Sequence, residues 1–141
     1  PETSHVLSAL IRKFHEAVDQ GCRTVTLWGS GNVRREFLYV DDLAEACEVL
    51  LEAADGAEPV NVGSGTGLSI REMATGVAEV VGFRGSIRWD RSQPDGAPEK
   101  TLDSTVMRRM GWSPRTELRT GIEQTARWFA EHETTSVGRT V

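Results

Sequence analysis

Long apolar runs are missing from this chain of 141 residues; the longest, such as Val49 to Leu51, are a few residues against the roughly 20 that span a bilayer. No membrane-crossing helix is expected. Cysteine is scarce, with only Cys22 and Cys47, which excludes a disulfide framework, and the 14 glycines follow no period, which excludes a collagen-like chain. The ligand candidates His5, His15, His132, Cys22 and Cys47 fall in neither C-x-x-C nor H-x-x-x-H spacing, so no metal site is expected. A G-x-S-x-G elbow is lacking as well, which leaves nucleophilic hydrolysis without support. The chain opens at Pro1 with neither an initiator Met nor a basic segment ahead of an apolar one, so no secretory signal is expected and completeness is not assumed. An excess of basic charge is also wanting: the net charge is −5 and the pI near 5.2, which argues against nonspecific nucleic-acid binding.

What is present suits one compact domain. Hydrophobic residues make up 38% of the chain and charged residues 26%, enough apolar material to offset the entropy of ordering. The acid excess lies entirely in the first half. Lys13 and Lys100 are the only lysines, so the cations are nearly all arginine. Arginine suits bidentate recognition of phosphate, although a compositional habit of the source genome accounts for the same count.

Ser4 precedes Val6, Leu7, Leu10, Ile11, Phe14 and Ala17, the spacing of a helix of about four turns capped at Ser4 and closed at Gly21. Thr24–Trp28 and Glu36–Val40 read as strands around the turn Gly29-Ser-Gly31. Asp42 with Glu45 resembles a capping box for a second helix carrying Leu43, Ala46, Cys47, Leu50 and Leu51 to Gly56, with Cys47 read as a small buried hydrophobe. Pro59–Val62 is expected as a short strand, and Ser69 with Glu72 as a capping box opening a helix to Gly82. Ser86–Asp90 reads as a strand, and 91–100 as irregular because of Pro94, Gly96 and Pro98. A short helix at Thr105–Met110 precedes a last helix with Leu118, Ile122, Ala126 and Phe129 on one face, and 133–141 reads as a frayed tail.

Gly63-x-Gly65-x-Gly67 follows a predicted strand and precedes a helix, but position 68 is Leu, not the third glycine of a dinucleotide fingerprint. A tight turn is the preferred reading. Gly29-Ser-Gly31 is weaker as a phosphate cradle because a strand follows it. His5, near the positive end of the first helix, is a candidate proton acceptor at neutral pH, with Lys13 about 12 Å further along the same side as a candidate anion contact. The plain alternative is a solvated surface His and Lys.

Five stretches stand in this order: Ser4-His-Val-Leu-Ser-Ala-Leu-Ile-Arg-Lys-Phe-His-Glu-Ala17, Leu27-Trp-Gly-Ser-Gly31, Arg35-Glu-Phe-Leu-Tyr-Val-Asp-Asp-Leu-Ala44, Asn61-Val-Gly-Ser-Gly65 and Gln93-Pro-Asp-Gly96. Together they resemble the C-terminal portion of the GDP-L-fucose synthases, a family of extended short-chain dehydrogenase/reductases. The resemblance implies an α/β fold: the substrate-binding α+β part of such an enzyme plus the closing elements of its Rossmann sheet, with 1–141 as a single substrate-binding portion. It implies an NADP-dependent conversion of GDP-4-keto-6-deoxy-D-mannose to GDP-L-fucose by epimerisation at C3 and C5 and reduction at C4. By the same resemblance His5 is the acid/base of the epimerisations and lies beside the cofactor, while Lys13, Trp28, Arg35 and Asp95 bind the GDP-sugar. A cytoplasmic homodimer is implied.

The chain departs from the family at Ser8, where Pro is usual, and at Gln93 and Glu99, where basic residues are usual. The family's Gly-rich cofactor loop, Ser, Tyr-x-x-x-Lys and partner cysteine lie upstream: here the only Tyr is Tyr39, followed four residues on by Leu43. The chain alone is therefore expected to be inactive and to require an N-terminal cofactor-binding part. A related nucleotide-sugar epimerase or dehydratase, or a non-catalytic nucleotide-sugar-binding module, are the alternatives.

Overall fold

Apolar residues at Leu7, Leu10, Ile11, Phe14 and Ala17 recur at three- and four-residue steps and so fall on one face of a helix. A computed structural model describes residues 5–53 and 58–136, and it places that helix at Val6–Asp19 (α1). In chain order there follow β1 (Thr24–Trp28), β2 (Arg34–Glu36), α2 (Val40–Ala53), β3 (Gly67–Ser69), α3 (Ile70–Val81), β4 (Ser86–Asp90), β5 (Glu99–Lys100), α4 (Thr105–Arg109) and α5 (Leu118–Ser136).

The main core lies where α1, α3 and α5 pack on one another and on β1. Phe14, Met73, Ala74 and Val77 are completely buried there, with Ile122 and Ala126 of α5 closing the cluster. Each such large apolar side chain contributes on the order of 1.5–3 kcal/mol of burial. Alternation along β1 does the same work at period two: Val25 and Leu27 point into the core, and Trp28 points out. β1 pairs in parallel with β4, Trp28 opposite Asp90. A second, mixed sheet has β2 at its centre, antiparallel to β3 and parallel to β5. A smaller core of Ala46, Met107 and Trp112 gathers Leu38, Val49, Val60 and Val62.

Several expectations match closely. Thr24–Trp28 and Ser86–Asp90 are strands. Ser69 and Glu72 form the reciprocal capping box of α3, and Gly82 ends that helix in the left-handed conformation. Others are corrected. The strand expected at Glu36–Val40 lies instead at Arg34–Glu36, and α2 begins at Val40. Asp42 is consequently inside the first turn rather than a cap. It is buried, and its carboxylate accepts hydrogen bonds from the Arg115 N–H at 3.3 Å, the Thr116 N–H at 3.1 Å and the Thr116 hydroxyl at 3.0 Å. The tie joins α2 to the segment that opens α5. Pro59–Val62 has no ladder partner among the described residues and is irregular; its valines are spent on the smaller core, and the neighbouring strand is Gly67–Ser69.

Within α2 only Asp42 and Ala46 are buried, whereas Leu43 and Leu51 are exposed and so is Cys47, contrary to its reading as a buried hydrophobe. The irregular segment 91–100 ends in the two-residue strand β5, which borrows its register from β2. Leu118 is exposed, and the last helix runs on through Ser136. The expected cap Ser4, the stop at Gly56 and the tail beyond 136 lie outside the described residues. His5 itself occupies the N-cap position of α1, without a side-chain cap bond. Among the described residues no helix is long and apolar enough to cross a membrane.

Candidate functional site

β1 delivers Trp28 to the surface and then turns at Gly29, whose φ is +80°. A Cβ at Gly29 would stand 2.5 Å from Asp95 Oδ1, so only glycine admits the close approach. Through it the Ser30 N–H donates to Asp95 Oδ1 at 2.6 Å. Hydrogen bonds from the Ser30 N–H and then the Ser30 side chain hold the Asp95 carboxyl below its usual range, with a smaller contribution from the charge of Arg91. From the other side, Arg35 Nη1 donates to the Ala97 carbonyl at 2.9 Å and to the Arg34 carbonyl at 2.6 Å. The proline-bearing loop is thus strapped across the ends of β1 and β2.

Between loop and strands lies a cleft of about 340 Å³, lined by Val6, Trp28, Arg35, Gln93, Pro94 and Asp95 among others. Trp28 is 69% exposed, which leaves a flat apolar wall for a ring to stack on. Arg35 supplies a planar cation and Asp95 a carboxylate acceptor. Three of the five residues singled out from the sequence therefore share one cavity. His5 is exposed and immediately precedes Val6, which lines it. Lys13 is apart: its Nζ donates to the Thr26 carbonyl of β1 at 2.9 Å, and it does not line the cleft.

Both glycine turns are filled from within. In Gly63-x-Gly65-x-Gly67 the occupant is the Glu36 carboxylate, which accepts from the Gly65 N–H, and a Cβ at Gly63 would fall 2.5 Å from Glu36 Oε1. The first amides of α3 are equally committed: Ile70 N–H donates to the Val33 carbonyl, Arg71 N–H to the Gly31 carbonyl and Glu72 N–H to Ser69 Oγ. A helix start whose donors are taken does not offer the usual seat for a pyrophosphate. The tight-turn reading of this loop agrees with that geometry.

A larger cavity of about 520 Å³ lies between Leu7, Phe37, Tyr39, Leu68, Pro114 and Ile122. Its lining is mostly apolar, and the cation on its wall, Arg115, is 3.7 Å from Glu45. The smaller cleft has the better chemistry for an anionic ligand because it combines a cation, an acceptor and an aromatic wall. Among the described residues no group of three or more His, Cys, Asp or Glu is placed to hold a metal ion.

Three contributors escaped the sequence reading. Ser30 matters through its N–H and its side chain, both bonded to Asp95, and two flanking glycines were its signal. Arg71 donates to the Ser30 carbonyl at 2.5 Å while its guanidinium lies 4.7 Å from the Trp89 ring centre, so it fixes the turn from α3. Gln93, noted only as a departure from a pattern, lines the cleft.

The chain is similar to known proteins. Residues 1–63 match the model of the NAD dependent epimerase/dehydratase family. More particularly, the chain is homologous to the GDP-L-fucose synthases over nearly its whole length. It is 51% identical over 132 residues to GDP-L-fucose synthase 1 of Arabidopsis thaliana, covering 94% of this chain and 41% of that protein. Against the GDP-L-fucose synthase of Escherichia coli (strain K12) it is 42% identical, covering 94% of this chain and 44% of that protein. A crystal structure of a GDP-L-fucose synthetase from Naegleria fowleri bound to NADP superposes with a TM-score of 0.84 at 28% identity, covering 94% of this chain and 42% of that one. The chain thus spans about two fifths of the length of these relatives.

Proposed function

We propose that this chain is the GDP-sugar-binding portion of an NADP-dependent epimerase/reductase that converts GDP-4-keto-6-deoxy-D-mannose to GDP-L-fucose. The observation that carries the reading is the convergence of Trp28, Arg35 and Asp95 on one cleft, with His5 one residue from its wall. In this reading Trp28 stacks on a ring, Arg35 neutralises diphosphate and Asp95 accepts from ligand hydroxyls or amines. His5 moves the protons at C3 and C5: proton removal beside a ketone needs a group that works near neutral pH, as an imidazole does. Lys13 is the outlying member, a contact that must leave the Thr26 carbonyl to reach an anion.

NADP supplies hydride for the reduction at C4 when bound. The described residues do not fit its pyrophosphate, because Glu36 fills the glycine loop and the first α3 amides are taken. Among these residues His5 is the one assigned beside the cofactor, and the dinucleotide loop belongs to an N-terminal part of the whole enzyme. Residues 1–141 act as a single substrate-binding portion that is inactive alone. In this reading the working form is a homodimer, and two free, exposed cysteines suit the reducing cytoplasm.

Titration of the chain with GDP, UDP and dTDP by calorimetry tests the reading. Preferential binding of GDP, weakened in Trp28→Ala and Arg35→Ala, is expected. A clear preference for a non-guanine nucleotide rejects the fucose assignment.

A further inference from the structure

Arg35 and Glu36 are consecutive on β2, and consecutive strand residues point to opposite faces. Arg35 lines the nucleotide cleft; Glu36 does not. Its carboxylate instead joins two distant segments: Oε1 accepts from the Gly65 N–H and Oε2 accepts from the Leu102 N–H at 2.8 Å. The second bond has a longer reach than it first shows. Arg34 N–H donates to the Pro98 carbonyl at 2.8 Å and Arg35 Nη1 to the Ala97 carbonyl at 2.9 Å, so β2 grips the segment 97–102 at three points. Asp95, two residues before Ala97, has its carboxylate on the Ser30 N–H.

We propose that Glu36 is a positioning residue for the cleft: by filling the Gly63–Gly65 turn and anchoring Leu102, it sets where Asp95 stands against Ser30. The proposal rests on reading the cleft as the nucleotide site. A carboxylate is required by valence. Two N–H groups on opposite segments each need an acceptor oxygen, and Glu offers two, whereas Gln offers one oxygen and turns an N–H₂ toward the other donor. Asp keeps both oxygens on a stem one methylene shorter and cannot span both segments.

The test uses the 141-residue chain as wild type, Glu36→Gln and Glu36→Asp, with amide hydrogen exchange read residue by residue and GDP affinity measured well below each melting temperature. In Glu36→Gln, exchange protection at Leu102 or Gly65 is expected to fall by about tenfold or more, as for loss of a hydrogen bond to a charged group. Protection at Ser30 falls with it and the GDP dissociation constant rises by about tenfold, while the core amide of Val77 is unchanged. Glu36→Asp gives the same pattern with a smaller amplitude and carries the test if Glu36→Gln does not fold. Wild-type protection at Ser30 in the variants overturns the proposal, and so does a uniform loss that includes Val77, since either leaves Glu36 with a merely structural role. Should Ser30 respond while the wild type binds no GDP, the positioning of Asp95 stands and the nucleotide reading of the cleft fails.

Discussion

Removing the Asp42 carboxylate should loosen the junction between α2 and α5 more than any other single polar change outside the cleft. Asp42 is 4% exposed and receives three donors, two from backbone N–H groups and one from the Thr116 hydroxyl, at 3.0 to 3.3 Å. Hydrogen bonds to a charged group contribute about 1.5–3 kcal/mol when short, and these are long, so about 1 kcal/mol each is the appropriate scale. Asp42→Ala removes all three and leaves half-covered donors that water reaches in part. A loss of about 2–4 kcal/mol is expected. Asp42→Asn keeps one oxygen for the Arg115 N–H and the Thr116 hydroxyl but sets its amide against the Thr116 N–H, for a loss of about 1–2 kcal/mol. Thr116→Val loses the hydroxyl bond alone, about 1 kcal/mol. Urea unfolding followed by circular dichroism, with the Asp42→Ala/Thr116→Val double mutant closing the cycle, measures each step. If Asp42→Ala unfolds within about 0.5 kcal/mol of the parent, the clamp does not stabilise the junction and the reasoning is wrong.

Gly31 has φ +77°, and a Cβ there would meet the Trp89 ring at 2.7 Å, so Gly31→Ala should cost about 2 kcal/mol or more in thermal unfolding; an unchanged melting temperature would refute the packing. Arg35→Ala should raise the GDP dissociation constant by about tenfold through loss of a charge-assisted phosphate contact, and unchanged calorimetric binding counts against its role. The Asp95 and Glu72 carboxyls both lie below their usual values, chiefly through the Ser30 and Ser69 hydrogen bonds respectively. A folded-state value below the unfolded one stabilises at pH above the unfolded value and is lost as pH falls through the folded one. Stability should therefore decline on acidification below about pH 4, and Asp95→Asn with Glu72→Gln should flatten that decline. A decline of equal steepness in the double variant would show that other groups control it.

Local chemistry was legible wherever the partner lay close in sequence. The Ser69–Glu72 box, the Gly82 stop and the β-branched run Thr24–Trp28 needed only neighbours within one or two turns, and all three are present. Asp42 shows the opposite case: three residues before Glu45 it reads as a cap, yet its partners are 73 and 74 residues away. Val60 and Val62 have strand-like side chains, but a strand also needs an edge to pair with, and here the pairing falls to Gly67–Ser69. In the cleft, Trp28, Arg35 and Asp95 were legible because their stretches resemble a known enzyme family. Ser30 was not, since its partner Asp95 lies 65 residues away.

From its residues alone, then, this protein is an acidic α/β chain with capped amphipathic helices and few cysteines, and the resemblance of its stretches to a known family is what singled out Trp28, Arg35 and Asp95. The register of two small sheets and the destination of each bridging carboxylate came only with tertiary contacts. Asp95 reaches Ser30 across 65 residues and Glu36 reaches Leu102 across 66, separations over which sequence spacing carries no directional information. Hydrogen bonds need donor and acceptor within about 3 Å, and only the folded chain decides which distant groups come that close.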